Sequence, residues 1–140
     1  MLKQEIDNKL TEIIIGAFYD VYNTLGYGFL EKVYENALKL ELEHRGLKVV
    51  SQMPIKVLYR NVIVGDYYAD LLVEDKVIIE LKSAEKIRIE HEMQLFHYLK
   101  ATQIEIGLLL NFGPKPEVRR KLWTPDNTNP CESVSSVQSV

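Results

Sequence analysis

Tyr67-Tyr68-Ala69-Asp70-Leu71-Leu72-Val73-Glu74-Asp75-Lys76-Val77-Ile78-Ile79-Glu80-Leu81-Lys82 is the stretch that decides the fold. Two apolar runs flank Glu74-Asp75-Lys76, which reads as a turn between two strands. Asp70 lies in the first run, and Glu80 and Lys82 lie two apart in the second. Successive side chains on a strand point to opposite faces, so Glu80 and Lys82 share one face and Ile79 and Leu81 the other. By the same period Asp70 shares a face with Tyr68 and Leu72. The residues around Glu80 and Lys82 are apolar on each side, as a central strand requires. A carboxylate there is costly unless a metal, a cation or hydrogen bonds compensate it. Two carboxylates and an ammonium converging at strand ends suit a divalent cation and the water it activates, which is the chemistry of phosphodiester hydrolysis. Two blander readings compete: an exposed strand or turn acid at Asp70, and a surface ion pair at Glu80 and Lys82.

Outward from this pair of strands, the apolar positions Leu10, Ile13, Ile14, Ala17, Phe18, Val21, Tyr22 and Leu25 recur at helical spacing, with Gly26 and Gly28 as a stop. A second helix is expected from about Leu30 to Arg45, ending at Gly46. Lys48 to Ser51 and Ile55 to Tyr59 read as extended segments separated by Pro54. Arg60-Asn61 reads as a tight turn into Val62-Ile63-Val64, followed by the strand from Tyr67 to Val73. Glu85 to about Ala101 returns to helical spacing, with Ile89, Met93, Phe96 and Leu99 as its apolar side. Ile104 to Phe112 is a buried strand, Gly113-Pro114-Lys115-Pro116 a turn, and Glu117 to Trp123 an edge strand. The order is α-α-β-β-β-α-β-β, which predicts a mixed sheet flanked by helices. From Thr124 the chain is rich in Pro, Asn, Ser and Thr, so residues 124–140 are expected to be a disordered tail behind a single domain of residues 1–123.

The 140 residues suffice for one domain with a real core, at 46% apolar and 26% charged. No apolar stretch approaches the roughly 20 residues that span a bilayer, and the first residues carry no apolar signal segment, so a cytoplasmic protein is expected. The single Cys131 has no internal disulfide partner and reads as an incidental thiol in the tail. A net charge of −3 argues mildly against a nucleic-acid binder. Local basic clusters at Lys82, Lys86 and Arg88, and at Lys115, Arg119, Arg120 and Lys121, soften that argument. His44, His91 and His97 show no metal-ligand spacing, and Gly-rich phosphate loops and nucleophile elbows are missing.

On the predicted helix after Lys82, Gln94 and Tyr98 are four apart and face the same way, with Glu90 one turn back. Leaning over the strand ends, they would hold the lysine, the water or a phosphate; the competing reading is an ordinary polar helix face. Gly28-Phe29-Leu30-Glu31-Lys32-Val33-Tyr34 is the remaining feature. Gly28 permits a sharp turn into a helix, and Glu31 in the first turn favours the helix dipole. Taken alone, Glu31 is a cap and Tyr34 is core.

Together these residues resemble a known family. Gly28-x-x-Glu31-x-x-Tyr34 is similar to the signature of the GxxExxY proteins, small prokaryotic proteins assigned to the PD-(D/E)XK nuclease-like superfamily. The resemblance runs from about Ile13 to Trp123 and includes Asp70, Glu80-Leu81-Lys82 and Gln94-Leu95-x-x-Tyr98-Leu99. It implies a restriction-endonuclease-like α/β core and Mg²⁺- or Mn²⁺-dependent cleavage of DNA or RNA. By position it implies that Asp70 and Glu80 hold the metal and that Lys82 is the catalytic lysine. Glu31 resembles the additional helical acid beside the metal, and Gln94 and Tyr98 resemble the Q-x-x-x-Y element of the exonuclease branch. Ala69 stands where a proline often precedes the first acid. The rivals are a catalytically silent nuclease-like fold that binds nucleic acid or protein, and a hydrolase of smaller phosphoesters. A homodimer or a recruiting partner would enlarge the grip of so small a domain.

Overall fold

In the computed structural model, which describes residues 2–126, α1 (Lys3–Leu25) and α2 (Glu31–His44) precede a long hairpin of β1 (Val49–Tyr59) and β2 (Val62–Val73). β3 (Val77–Lys82), α3 (Ile89–Thr102), β4 (Ile106–Phe112) and β5 (Pro116–Leu122) complete the α-α-β-β-β-α-β-β order expected above. The five strands lie side by side in chain order. All neighbours are antiparallel except β3 and β4, which are parallel and joined by α3 as the crossover. This is a mixed sheet flanked by helices. No helix among the described residues is long and apolar enough to cross a membrane. Most of the expected tail, with Cys131, lies outside the described residues.

Each face of the sheet has its own core. On one, Leu10, Ile14 and Phe18 of α1 and Tyr34, Leu38 and Leu42 of α2 pack on Leu71, Val73, Ile79, Leu81 and Leu108. On the other, Leu95, Phe96 and Leu99 of α3 pack on Ile55, Ala69, Leu72, Ile78 and Leu109. Gly26 takes φ 70° and Gly28 φ 114°, angles open to glycine at little cost. Tyr34 then fixes the α1–α2 loop. Its hydroxyl donates to the Gly26 carbonyl at 2.6 Å and accepts the Phe29 N–H at 3.2 Å, and its ring stacks on Phe112 at 4.3 Å. The tyrosine of the G-x-x-E-x-x-Y run is thus both core and loop clamp.

Several element boundaries and burials depart from the sequence reading. Pro54 does not divide β1: on an edge strand its missing N–H breaks no ladder bond, so the two expected segments are one. The segments after the Arg60-Asn61 turn likewise merge into β2, the turn taking φ 51° and 64° as a two-residue hairpin demands. α3 starts at Ile89 and not Glu85, because the buried Asn111 side chain pins Ala84 in a bend between β3 and the helix. Its Oδ1 accepts the Ala84 N–H at 2.9 Å and its Nδ2 donates to the Ala84 carbonyl at 3.0 Å. Glu117 joins this clamp, accepting from Asn111 Nδ2 at 2.9 Å and from the Ile87 N–H at 3.0 Å. Ile89 is therefore 49% exposed, off the apolar side on which the sequence placed it. Lastly, Lys121 is fully buried and lies 2.7 Å from the Glu92 carboxylate, so it belongs to an α3–β5 ion pair and not to a basic surface patch.

Candidate active site

Alternation along β3 sends Ile78 and Glu80 toward the α3 face, and Ile79 and Leu81 into the α1–α2 core. The β2–β3 ladder pairs Val73 with Val77, Leu72 with Ile78 and Leu71 with Ile79, and ends there. One step on, the two acids replace the ladder. The Asp70 N–H donates to Glu80 Oε1 at 2.9 Å, and the Leu81 N–H donates to Asp70 Oδ2 at 2.8 Å. The carboxylates thus bridge the point at which the strands part, which satisfies two backbone donors and locks the acids side by side.

The regular period fails at this point. Ala69 and Leu72, three apart, both join the α3-side core, whereas Tyr68 is 53% exposed. Tyr68 and Leu72 therefore lie on opposite faces, and Asp70 does not share a face with both, as strict alternation implied. The cause lies across the hairpin. Gln52, between the pairs Ser51–Leu71 and Met53–Ala69, takes φ 55° and drops out of the pairing. Its amide Nε2 donates to Glu35 Oε1 at 2.9 Å and reaches Asp70 Oδ1 at 3.5 Å. Glu35, buried on α2, also binds Lys32 at 2.8 Å. Neither Gln52 nor Glu35 was singled out by sequence. Glu35 lies one helical turn beyond Glu31, a spacing that could have pointed to it. The break at Gln52 was read instead as the effect of Pro54.

The electrostatics follow from burial. The Glu80 carboxyl is pushed up to about 8, first by burial and then by the Asp70 charge, with Lys82 opposing and Glu31 adding to the rise. Asp70 is raised mainly by burial, against the Leu81 N–H that favours its charged form, with Glu35 and Glu31 adding repulsion. Burial, followed by Glu80, Tyr67 and Asp70, pushes the Tyr98 hydroxyl up to about 12, so it remains a proton donor at neutral pH. His91 is lowered by burial and by Lys82.

Among the residues named from sequence, Asp70 and Glu80 are hydrogen-bonded together, and Glu31, Lys82 and Tyr98 lie close enough to act on their charge. Gln94 is exposed and shares a groove with Tyr98. No group of three or more His, Cys, Asp or Glu among the described residues forms a ready-made metal cage. The oxygen donors present still fit a hard divalent cation, since Mg²⁺ commonly takes only one or two carboxylates and fills its other positions with water and phosphate. Two neighbouring like charges, Glu80 buried and already pushed toward protonation and Asp70 half-buried, are the pair that a cation would relieve.

A mixed sheet carrying two acids and a lysine at the parting of its central strands defines an α/β protein of the nuclease-like kind. The family model of the PD-(D/E)XK nuclease superfamily matches residues 8–121, and the chain belongs to that superfamily, whose members generally use divalent metals. A solved structure described as "Crystal structure of SSO0001" has the same fold. It is 17% identical at a TM-score of 0.52, over 96% of this chain and 68% of that one. No curated protein matches the chain.

Proposed function

We propose that the protein is a nuclease that hydrolyses phosphodiester bonds of DNA or RNA with Mg²⁺ or Mn²⁺, within the GxxExxY group of its superfamily. One observation carries the reading: Asp70 and Glu80 meet where β2 and β3 part, on the strand that also carries Lys82 two residues on. Asp70 and Glu80 would hold the cation, with Glu31 completing the shell directly or through water. When bound, the cation supplies a Lewis acid for the phosphate and lowers the pKa of a water. Lys82 orients or deprotonates the attacking water and offsets charge developing on the phosphate. Tyr98, kept protonated by its surroundings, donates to a phosphate oxygen, and Gln94 beside it positions the strand. The protein would act in the cytoplasm, alone, as a homodimer or with a recruiting partner.

A second reading, a catalytically silent binding module, draws support from the backbone hydrogen bonds that already occupy both acids. The deciding experiment offers single- and double-stranded DNA and RNA to the wild type and to Lys82→Ala, with each cation and with EDTA. Cation-dependent cleavage lost in Lys82→Ala supports the nuclease. Cleavage that Lys82→Ala retains refutes the lysine's role, and no cleavage of any substrate supports the silent module.

A further inference from the structure

Next to the acid pair runs an open groove of about 850 Å³ between the β1–β2 ribbon and α3. Lys56, Val57 and Tyr67 line one wall, and Gln94, Tyr98 and Lys100 the other. Three observations bear on its occupant. The groove adjoins the candidate site through Tyr98 and Gln94, the two site candidates that line it, while the acids themselves lie outside its lining. Its size is that of cavities that enclose a drug-sized ligand, which is room for a few nucleotides and not for a duplex. Its chemistry is aromatic with modest charge. Tyr67 is 46% exposed, with its ring 5.8 Å from that of Tyr98 and tilted by 42°, so the two rings are not stacked on each other. Lys56 is already paired with Asp66 at 2.8 Å, and the groove is lined by the acid Glu90 as well as by Lys100.

A chain of net charge −3 with so few cations here is poorly equipped to grip a duplex along its phosphates. Single strands are bound differently: bases stack on aromatic rings, and a few cations track the backbone. We propose that this groove seats an unpaired stretch of the substrate strand, with a base against Tyr67 and a phosphate near Lys100, so that the site takes single-stranded nucleic acid. The inference rests on the nuclease reading for what happens at the acids, but strand binding itself requires neither cation nor cleavage.

The test is fluorescence anisotropy in EDTA with labelled single-stranded DNA, single-stranded RNA and duplex DNA of about a dozen nucleotides. The wild type, Tyr67→Ala, Tyr67→Phe and Lys100→Glu are compared, with circular dichroism to check folding. The expected result is single-strand affinity at least roughly tenfold above duplex affinity. Tyr67→Ala should weaken it by roughly fivefold or more, while Tyr67→Phe, which keeps the ring, should not. Lys100→Glu should lower it and reduce the salt dependence by about one ion. If Tyr67→Ala does not fold, Lys100→Glu on the helix surface still decides. Equal or tighter duplex binding, unchanged affinity in both variants, or no binding to any single strand would overturn the proposal. Duplex cleavage with Mn²⁺ that Tyr67→Ala leaves intact would overturn it while leaving the nuclease reading in place. Ring-dependent single-strand binding without cleavage by any cation would uphold it and remove that reading. The DNA and RNA arms tell which polymer the groove prefers.

Discussion

Replacing Glu80 with glutamine removes a charge that the fold holds out of water, while keeping the side chain's shape and an oxygen for the Asp70 N–H. The consequence for stability has a definite sign. In the unfolded chain Glu80 ionises around its ordinary 4.5, and in the folded protein only at about 8. Below about pH 4.5 both states are protonated and Glu80 exerts no pH-dependent effect. As pH rises toward 8 the unfolded chain sheds its proton first, so the folded wild type loses stability across that window and then levels off. At about 1.4 kcal/mol per pH unit, the interval from 4.5 to about 8 corresponds to roughly 5 kcal/mol, and about 3 kcal/mol of it is reached by pH 7. Local relaxation and water entry around the charge bring the realised loss below these figures. Glu80→Gln lacks this loss. Urea unfolding in EDTA at about pH 4.5, 7 and 9 should show Glu80→Gln gaining on the wild type as pH rises, by at least about 2 kcal/mol between the extremes. Millimolar Mn²⁺ at about pH 8 should return stability to the wild type and much less to the variant. A difference between the two proteins that does not change with pH, or that grows in favour of the wild type, would refute the electrostatic account of the acid pair.

Three further substitutions test the frame around the site. Gln52→Met keeps the bulk of the side chain but loses the amide that ties Glu35 and Asp70. Amide exchange at Leu81, which is bonded to Asp70, should accelerate by roughly tenfold while that at Ile79 stays unchanged. Asn111→Ala leaves the Ala84 N–H and carbonyl without their partner and should cost about 2–4 kcal/mol in chemical denaturation. Lys121→Met strands the buried Glu92 charge and should cost about 3–5 kcal/mol, and adding Glu92→Leu should recover most of it. A double mutant no more stable than the single one would contradict the pairing.

The strands carrying Asp70 and Glu80 were legible because alternation and β-branched runs determine them, and the element order followed from period alone. Legibility ended where a side chain takes over the work of the backbone. Asn111 holds Ala84 from 27 positions away, so the delayed start of α3 has no local signal. The left-handed turn at Gln52 reverses the alternation of β1, and Asp70 opposite it follows, yet nothing in Ser51-Gln52-Met53 marks that conformation. Lys121 stands in a basic run that reads as surface, and only its pairing with Glu92 on α3 explains its burial. Asp70, Glu80 and Lys82 could be read because each disrupts an apolar pattern. Glu35 could not, because an acid within an amphipathic helix disrupts none.

The most direct test of the central claim is isothermal calorimetry of Mg²⁺ and Mn²⁺ binding to the wild type and to the double variant Asp70→Ala/Glu80→Ala. Circular dichroism would confirm that the variant is folded. The account predicts binding by the wild type that the double variant loses. A wild type that takes up neither cation at millimolar concentration, or a folded double variant that binds as tightly as the wild type, would contradict it.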